Sequence, residues 1–176
     1  MKKLLILFCF LILSVYVFAQ GTDKAILKLP IPHYKILKAD STYTDWTALN
    51  THKMVMVIYF APDCPHCQHL MNEMRPEMNE FKNFQIVMIC GTRTEYPYLK
   101  MLKTFNRDFD LLKYKNITMG TEYPNYKVVK YYQLATTPFI AFYDRNGKMT
   151  TYFDKPAKIE DVLAAAKKTD TVSNYR

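Results

Sequence analysis

Met54-Val55-Met56-Val57-Ile58-Tyr59-Phe60 runs into Ala61-Pro62-Asp63 and then into Cys64-Pro65-His66-Cys67. An unbroken apolar run rich in β-branched and aromatic side chains reads as a central strand covered on both faces. Pro62 and Asp63 break it. A helix should follow, because Cys67, Leu70, Met71, Met74, Met78 and Phe81 recur at spacings of three and four. Pro65 suits the first turn of that helix, where a missing N–H costs nothing, whereas Pro76 should kink it. Two cysteines therefore sit where a buried strand turns into a helix.

Outward from this stretch the pattern alternates. Phe84–Cys90 is a second buried strand. Tyr98, Met101, Leu102 and Phe105 form a helical stripe, and Ile117–Gly120 is a short strand candidate. Asn125–Leu134 reads as a helix that ends before Thr137-Pro138. Phe139–Tyr143 and Lys148–Phe153 flank Asp144-Arg145-Asn146-Gly147, and Asn-Gly between apolar runs marks a hairpin. Ile159, Val162, Leu163 and Ala166 share one face of a last helix, with a frayed tail expected over 169–176. On the N-terminal side, Thr22–Lys38 carries Pro30 and Pro32 and suggests an edge strand or extended arm. Ser41–Trp46 supplies cap residues for a short helix ending near Asn50. These elements make an α/β fold, a mixed central sheet flanked by helices, in one domain over residues 20–168.

The first nineteen residues differ from the rest. A basic start, Met1-Lys2-Lys3, leads into the apolar Leu4–Phe18, and Val17-Phe18-Ala19 offers small residues for cleavage before Gln20. That order is the layout of a secretory signal peptide. An uncleaved anchor helix is the alternative, although the run falls short of the about 20 residues a span needs. Cys9 has Phe8 before it, which argues against a lipoprotein. The expectation is an exported protein, in a bacterial periplasm, touching membrane only transiently or through a membrane redox partner. The net charge of +8 is scattered rather than clustered, and with Gly 4 neither a P-loop nor G-x-G-x-x-G can be written, so nucleic acid and nucleotides are not expected partners.

Export leaves Cys64, Cys67 and Cys90. Two cysteines separated by two residues, plus one left over, point to a redox pair rather than a disulfide scaffold. Unpaired N–H groups and the positive end of the helix dipole favour a thiolate at Cys64, and Cys67 lies one turn deeper. An accessible thiolate attacks a foreign disulfide, and the second thiol resolves the intermediate. His66 adds a charge or donor beside Cys64 and should lower its pKa further. Asp63 opposes this weakly. The expected substrates are protein thiols or disulfides, with a redox partner to recycle the pair and no cofactor or metal.

Cys64-Pro65-His66-Cys67 after the buried strand, with Thr137-Pro138 before a strand-turn-strand hairpin, resembles the thioredoxin superfamily over Lys28–Lys168. The layout is similar to the exported TlpA/ResA-type branch, with an N-terminal extension and a helical insertion near Gly91–Lys115. The tetrad is similar to that of DsbA-type oxidases. The resemblance implies a thiol–disulfide oxidoreductase with Cys64 as nucleophile, Cys67 as resolving thiol, Pro65 and His66 tuning the pair, and Thr137 and a cis Pro138 docking the polypeptide. It also exposes departures. Ile58 stands where thioredoxins carry a strand carboxylate, and Leu70 where ResA-like proteins carry Glu. The remaining base candidate for Cys67 is Glu73. The helix proline is at Pro76, with Asn72 in its usual place.

Other chemistries fit these residues less well. A structural zinc site wants four ligands, and only His66, His69 and a distant Cys90 accompany the pair. Covalent haem wants His where Gln68 stands. A thiol peroxidase would carry Thr or Ser at Ala61. A non-catalytic metal- or polypeptide-binding module stays open. Cys90 reads as core filler, and so does the Met71, Met74, Met78 stripe, although thioethers also suit Cu(I). The tyrosine pairs Tyr96/Tyr98 and Tyr131/Tyr132 read as half-buried surface, and His33 and His52 carry no role.

Overall fold

The computed structural model describes residues 25–91 and 98–174. The leader expected at 1–19 lies outside the described residues. The described residues include seven strands: β1 (Lys35–Lys38), β2 (Tyr43–Asp45), β3 (Met54–Phe60), β4 (Phe84–Cys90), β5 (Ile117–Thr121), β6 (Phe139–Tyr143) and β7 (Met149–Phe153). The α-helices that bear on the sheet are α1 (Pro65–Met74), α2 (Tyr98–Asp108), α3 (Lys127–Tyr132) and α4 (Ile159–Asn174). The strands make one sheet in the order β2-β1-β5-β4-β3-β6-β7. β3, β4 and β5 run parallel, and the remaining pairs are antiparallel.

The central strand is buried along its whole length, and alternation sorts its side chains between two cores. Met54, Met56, Ile58 and Phe60 pack with Leu70, Met71 and Met74 of α1, with Leu102 and Phe105 of α2 and with Val162 of α4. Val55, Val57 and Tyr59 face the other way, toward Val128 and Tyr132 of α3 and Ile36 of β1. Each such side chain contributes about 1.5–3 kcal/mol when fully buried. A slip of one residue would exchange the two sets, so the register with Phe84–Cys90 is strongly specified.

Several expectations are corrected in detail. The N-terminal segment is not an edge strand: β1 pairs on both sides, with β2 and β5. Pro30 and Pro32 lie ahead of it in an extended arm, where their missing donors break no ladder. The edge on this side of the sheet is β2, formed by residues read from sequence as caps. Asp45 does cap, but its carboxylate accepts from the Thr47 N–H at 2.9 Å at the head of a single 3-10 turn, Trp46–Ala48. Pro76 does not bend a continuous α-helix. α1 stops at Met74 and the chain goes on as a 3-10 run, Arg75–Phe81. The strand expected at Ile117–Gly120 does form: α2, within the insertion, leads to β5, which takes the sheet position between β1 and β4. α3 is shorter than expected, bounded by Tyr126 and Gln133 in left-handed conformation at φ 47° and 54°. The tail expected over 169–176 is helical through Asn174, and Thr169 is buried, its hydroxyl donating to the Ala165 carbonyl at 2.9 Å.

The hairpin forms as expected. Gly147 takes φ 71°, and the Asp144 carboxylate accepts from the N–H groups of Asn146 and Lys148, both at 2.9 Å. The carboxyl ends of the parallel strands, at Phe60, Cys90 and Thr121, share one edge of the sheet. In open α/β sheets that edge is where ligands bind.

Candidate active site

α1 starts at the end of β3, and its start positions both thiols. Cys64 is the N-cap, extended at φ −80°, ψ 119°, with Pro65 in the first turn. Its carbonyl accepts from the N–H of Cys67 at 3.0 Å and of Gln68 at 3.1 Å, which winds the first turn beneath it. Gln68 reaches back to donate to the Pro62 carbonyl at 2.9 Å and fixes the loop ahead of the cysteines. Cys64 is partly exposed, whereas Cys67, on the core side of the helix, is only 1% exposed.

Thr137 and Pro138 come from the far end of the chain to face this turn. The Thr137–Pro138 bond is cis and Pro138 is buried. The Cys64 thiol donates to the Thr137 carbonyl at 3.6 Å. The resemblance pointed to Cys64, Cys67, Pro65, His66, Thr137 and Pro138, and the fold brings Cys64, Cys67 and Thr137 into mutual contact.

The two thiols differ in acidity. At Cys64, partial burial acts upward. Hydrogen bonds from the Thr137 side chain, the Cys67 N–H, the Cys67 thiol and the His66 N–H outweigh it, and the pKa lies below the ordinary thiol value. At Cys67, burial dominates and pushes the thiol up to about 12, with the neighbouring Cys64 thiol and its charge adding to the rise. A thiolate is thus favoured at the partly exposed sulfur and disfavoured at the buried one. His66 acts here through its backbone N–H, and its side chain is exposed.

The candidate base does not reach the resolving thiol. Glu73 pairs with His69 at 3.4 Å on the outer side of α1. Ile58 and Leu70, the departures from the family pattern, are buried apolar residues of the core that also contains Cys67. Cys90 is fully buried at the end of β4, in register with Phe60. Burial, then the charges of Glu122 and Asp63, push its thiol up to about 12. Met71, Met74 and Met78 are buried in the same core. Among the described residues, no group of three or more His, Cys, Asp or Glu is placed to hold a metal ion. His33 stacks on Trp46, ring centroids 4.0 Å apart.

Sequence reasoning missed Glu122, a carboxylate only 3% exposed beyond the end of β5. It accepts from the Tyr59 hydroxyl at 2.9 Å and from the N–H groups of Val128 at 2.6 Å and Val129 at 3.2 Å. It holds α3 against the sheet, and α3 leads to Thr137. A glutamate ahead of a helix start was the available signal. The space that Tyr59 needs comes from Gly91, where a Cβ would collide with the tyrosine hydroxyl. A second cis bond, Tyr123–Pro124, follows Glu122.

Comparison with known proteins agrees with this architecture. Residues 45–167 match a family model described as a thioredoxin-like domain. Among solved structures, a secreted Mycobacterium tuberculosis disulfide oxidoreductase, homologous to E. coli DsbE, is 16% identical with a TM-score of 0.62, covering 82% of this chain and 98% of its own. The thioredoxin domain of a Bacteroides vulgatus thiol-disulfide oxidoreductase is 18% identical with a TM-score of 0.63, covering 80% and 94%. An exposed lipoprotein thioredoxin from Streptococcus pneumoniae is 17% identical with a TM-score of 0.58, covering 77% and 98%. At these identities the likeness is one of fold. No curated protein matches the sequence.

Proposed function

The chain belongs to the thioredoxin-like domain family, and from that premise we propose that it is an exported thiol–disulfide oxidoreductase exchanging disulfides with protein substrates through Cys64 and Cys67. One observation carries the reading: a partly exposed thiol at the N-cap of a helix lies against a buried thiol one turn inside it, with the first favoured as thiolate and the second pushed up to about 12.

In the reducing direction the Cys64 thiolate attacks one sulfur of a substrate disulfide. A Cys64–substrate bond forms, the substrate S–S bond breaks, and one substrate thiolate leaves. Cys64 has then lost the charge and hydrogen bond that helped hold the Cys67 proton. Cys67 releases that proton to the departing thiolate or to solvent and attacks the Cys64 sulfur. The Cys64–Cys67 disulfide forms and the second substrate thiolate leaves, so the pair loses two electrons and the substrate gains them. The reverse sequence oxidises a substrate dithiol, and a redox partner resets the pair. Thr137 borders the sulfur where the mixed disulfide forms and Pro138 directly follows it, a position suited to holding the bound polypeptide.

Export rests on the basic-apolar-small order of residues 1–19, and the secreted and exposed proteins of like fold support it. A mature N-terminus at Gln20 on protein recovered from outside the cytoplasm checks it; retention of Met1 there would refute cleavage.

The exchange reading is tested by trapping. Cys67→Ser keeps the attacking thiol and loses the resolving one, so it accumulates mixed disulfides on non-reducing gels. Cys64→Ser traps nothing, and Cys90→Ala behaves as wild type. Equal trapping by the two serine variants overturns the assignment.

A further inference from the structure

A cleft of about 530 Å³ opens at the end of the sheet away from Cys64, between the arm ahead of β1, the 3-10 turn at Trp46 and the β6–β7 hairpin. Its size lies within the about 300–1,000 Å³ typical of ligand pockets. We infer that this cleft binds a free amphiphilic anion of the fatty-acid class, with its tail inward and its carboxylate at the rim. The inference is independent of the thiol-exchange reading. Lys53, on the rim, immediately precedes β3, and Cys64 lies beyond the other end of that seven-residue strand, about 20 Å away.

The walls are apolar and already in place. Trp46, the single tryptophan of the chain, lines the cleft and is 40% exposed. Ile31 and Leu49 are partly exposed beside it, and buried Val55 completes the lining. His33 stacks on the indole with the two rings 8° from parallel, which fixes the platform. The Pro30 carbonyl ties down the arm, accepting from the Tyr131 hydroxyl at 2.9 Å and the Tyr143 hydroxyl at 3.2 Å. The hairpin comes in close: a Cβ at Gly147 would touch Ile31 at 3.9 Å. Walls held in this way need little ordering when a guest arrives, and their exposed apolar surface gains by being covered.

The charge at the rim selects the head group. Lys53 and Arg145 both line the cleft, brought out at one end of the sheet by the register that sets Val55 opposite Tyr143. Lys53 has no ion-pair partner among the described residues. Arg145 turns one terminal nitrogen to Asp170 at 3.7 Å and Asn174 at 3.3 Å, and its guanidinium has further donors to offer. The acidic groups nearby are engaged. The Asp144 carboxylate accepts from the N–H groups of Asn146 and Lys148, and Asp45 accepts from the N–H and hydroxyl of Thr47. An anion on an apolar tail therefore finds cations here, whereas an alkyl cation meets like charge. The apolar surface is concave, which suits one free molecule rather than a membrane face.

Because Trp46 is the single tryptophan, its fluorescence, excited where tyrosine does not absorb, reports this cleft alone. The test titrates the protein with decanoate, decanol, decyltrimethylammonium and pentanoate. Decanoate should move the emission to shorter wavelength in a saturable way, as water leaves the indole. It should bind about tenfold tighter than decanol, the effect of a charge-assisted contact at a partly exposed rim, and decyltrimethylammonium should bind more weakly than either. Pentanoate, five methylenes shorter, should bind at least about tenfold more weakly than decanoate. Lys53→Glu should bring decanoate down to the level of decanol and leave the alkylation rate of Cys64 unchanged. Lys53→Met, which keeps the stem and loses the charge, should do the same if Lys53→Glu does not fold. Decanol binding as tightly as decanoate, or a preference for decanoate that survives in a folded variant, overturns the inference. So does an emission that none of the four moves, or one moved only by phosphatidylglycerol vesicles, which would make the face a membrane contact. Loss of mixed-disulfide trapping with decanoate binding intact would strike the exchange reading instead.

Discussion

Reduced protein treated with iodoacetamide at pH 7 should lose Cys64 first, by a margin the structure sets. Cys64 lies below 9.0 and Cys67 at about 12. The gap of at least about three pH units gives Cys64 a thiolate fraction about a thousandfold larger at neutral pH. A more acidic thiol is also a poorer nucleophile, with a Brønsted slope of about 0.4–0.5, which removes about 1.2–1.5 powers of ten. The net margin is therefore at least about 30-fold from ionisation alone. Burial widens it, because Cys67 is 1% exposed. The assay is quenched alkylation followed by peptide mass spectrometry across pH 6–10. The Cys64 rate should level off at a midpoint below 9.0, while the Cys67 rate should still be rising at the top of the range. Cys90, fully buried and also at about 12, should label no faster than Cys67. In Cys64→Ala the buried thiol loses two upward influences but keeps the largest, burial, so it should stay slow. Labelling of Cys67 within twofold of Cys64 at pH 7, or a Cys64 midpoint above 9.0, would refute the reasoning.

Two further outcomes concern stability. Glu122→Gln keeps the side-chain shape but replaces one accepting oxygen by an N–H donor facing donors, so it should cost about 1–3 kcal/mol, read as a lower urea midpoint; an unchanged midpoint would show that the carboxylate is dispensable to α3. Cys67 and Cys90, raised by burial from 9.0 to about 12, bind their protons more tightly folded than unfolded. Their contribution is complete below pH 9 and is lost as pH climbs toward 12, and buried Tyr59 and Tyr143 act with the same sign. The urea midpoint should therefore fall between pH 8 and pH 11, and a flat profile would contradict it.

What was legible in the sequence follows from where the information lies. Met54–Phe60 and Phe84–Cys90 could be placed to the residue because strands buried on both faces leave continuous apolar runs. Pro65 marks the start of α1 for a purely local steric reason. β2 was not legible. Tyr43–Asp45 is an edge strand with no residue fully buried, so it carries no apolar alternation, and it exists because Leu37 and its neighbours pair with it. The end of α4 was hidden in a similar way. Thr169 looks like a surface residue, yet its hydroxyl meets Thr150 of β7 at 2.6 Å as well as the carbonyl of Ala165. Glu122 looks like a solvated glutamate, and its buried state depends on the hydroxyl of Tyr59, on a strand distant in sequence.

The site divides along the same line. Two cysteines in one helical turn are a matter of spacing, and spacing is written in four consecutive residues. Their inequality is not written there. Local sequence suggested that His66 tunes Cys64 by its imidazole; the fold also sets the His66 N–H against the thiol, a group that almost any residue would supply. The larger influences come from elsewhere. The Thr137 side chain reaches Cys64 from beyond the insertion, on a segment positioned by α3 and hence by Glu122. The core built from β3, β4 and α4 desolvates Cys67. A Cys-Pro-His-Cys segment excised from this fold would keep the spacing and the helix-start N–H groups but lose the partner of one thiol and the burial of the other. The pair is differentiated by the fold: Thr137, far from the tetrad in sequence, acts on Cys64 beside the N–H of His66, and the surrounding core acts on Cys67.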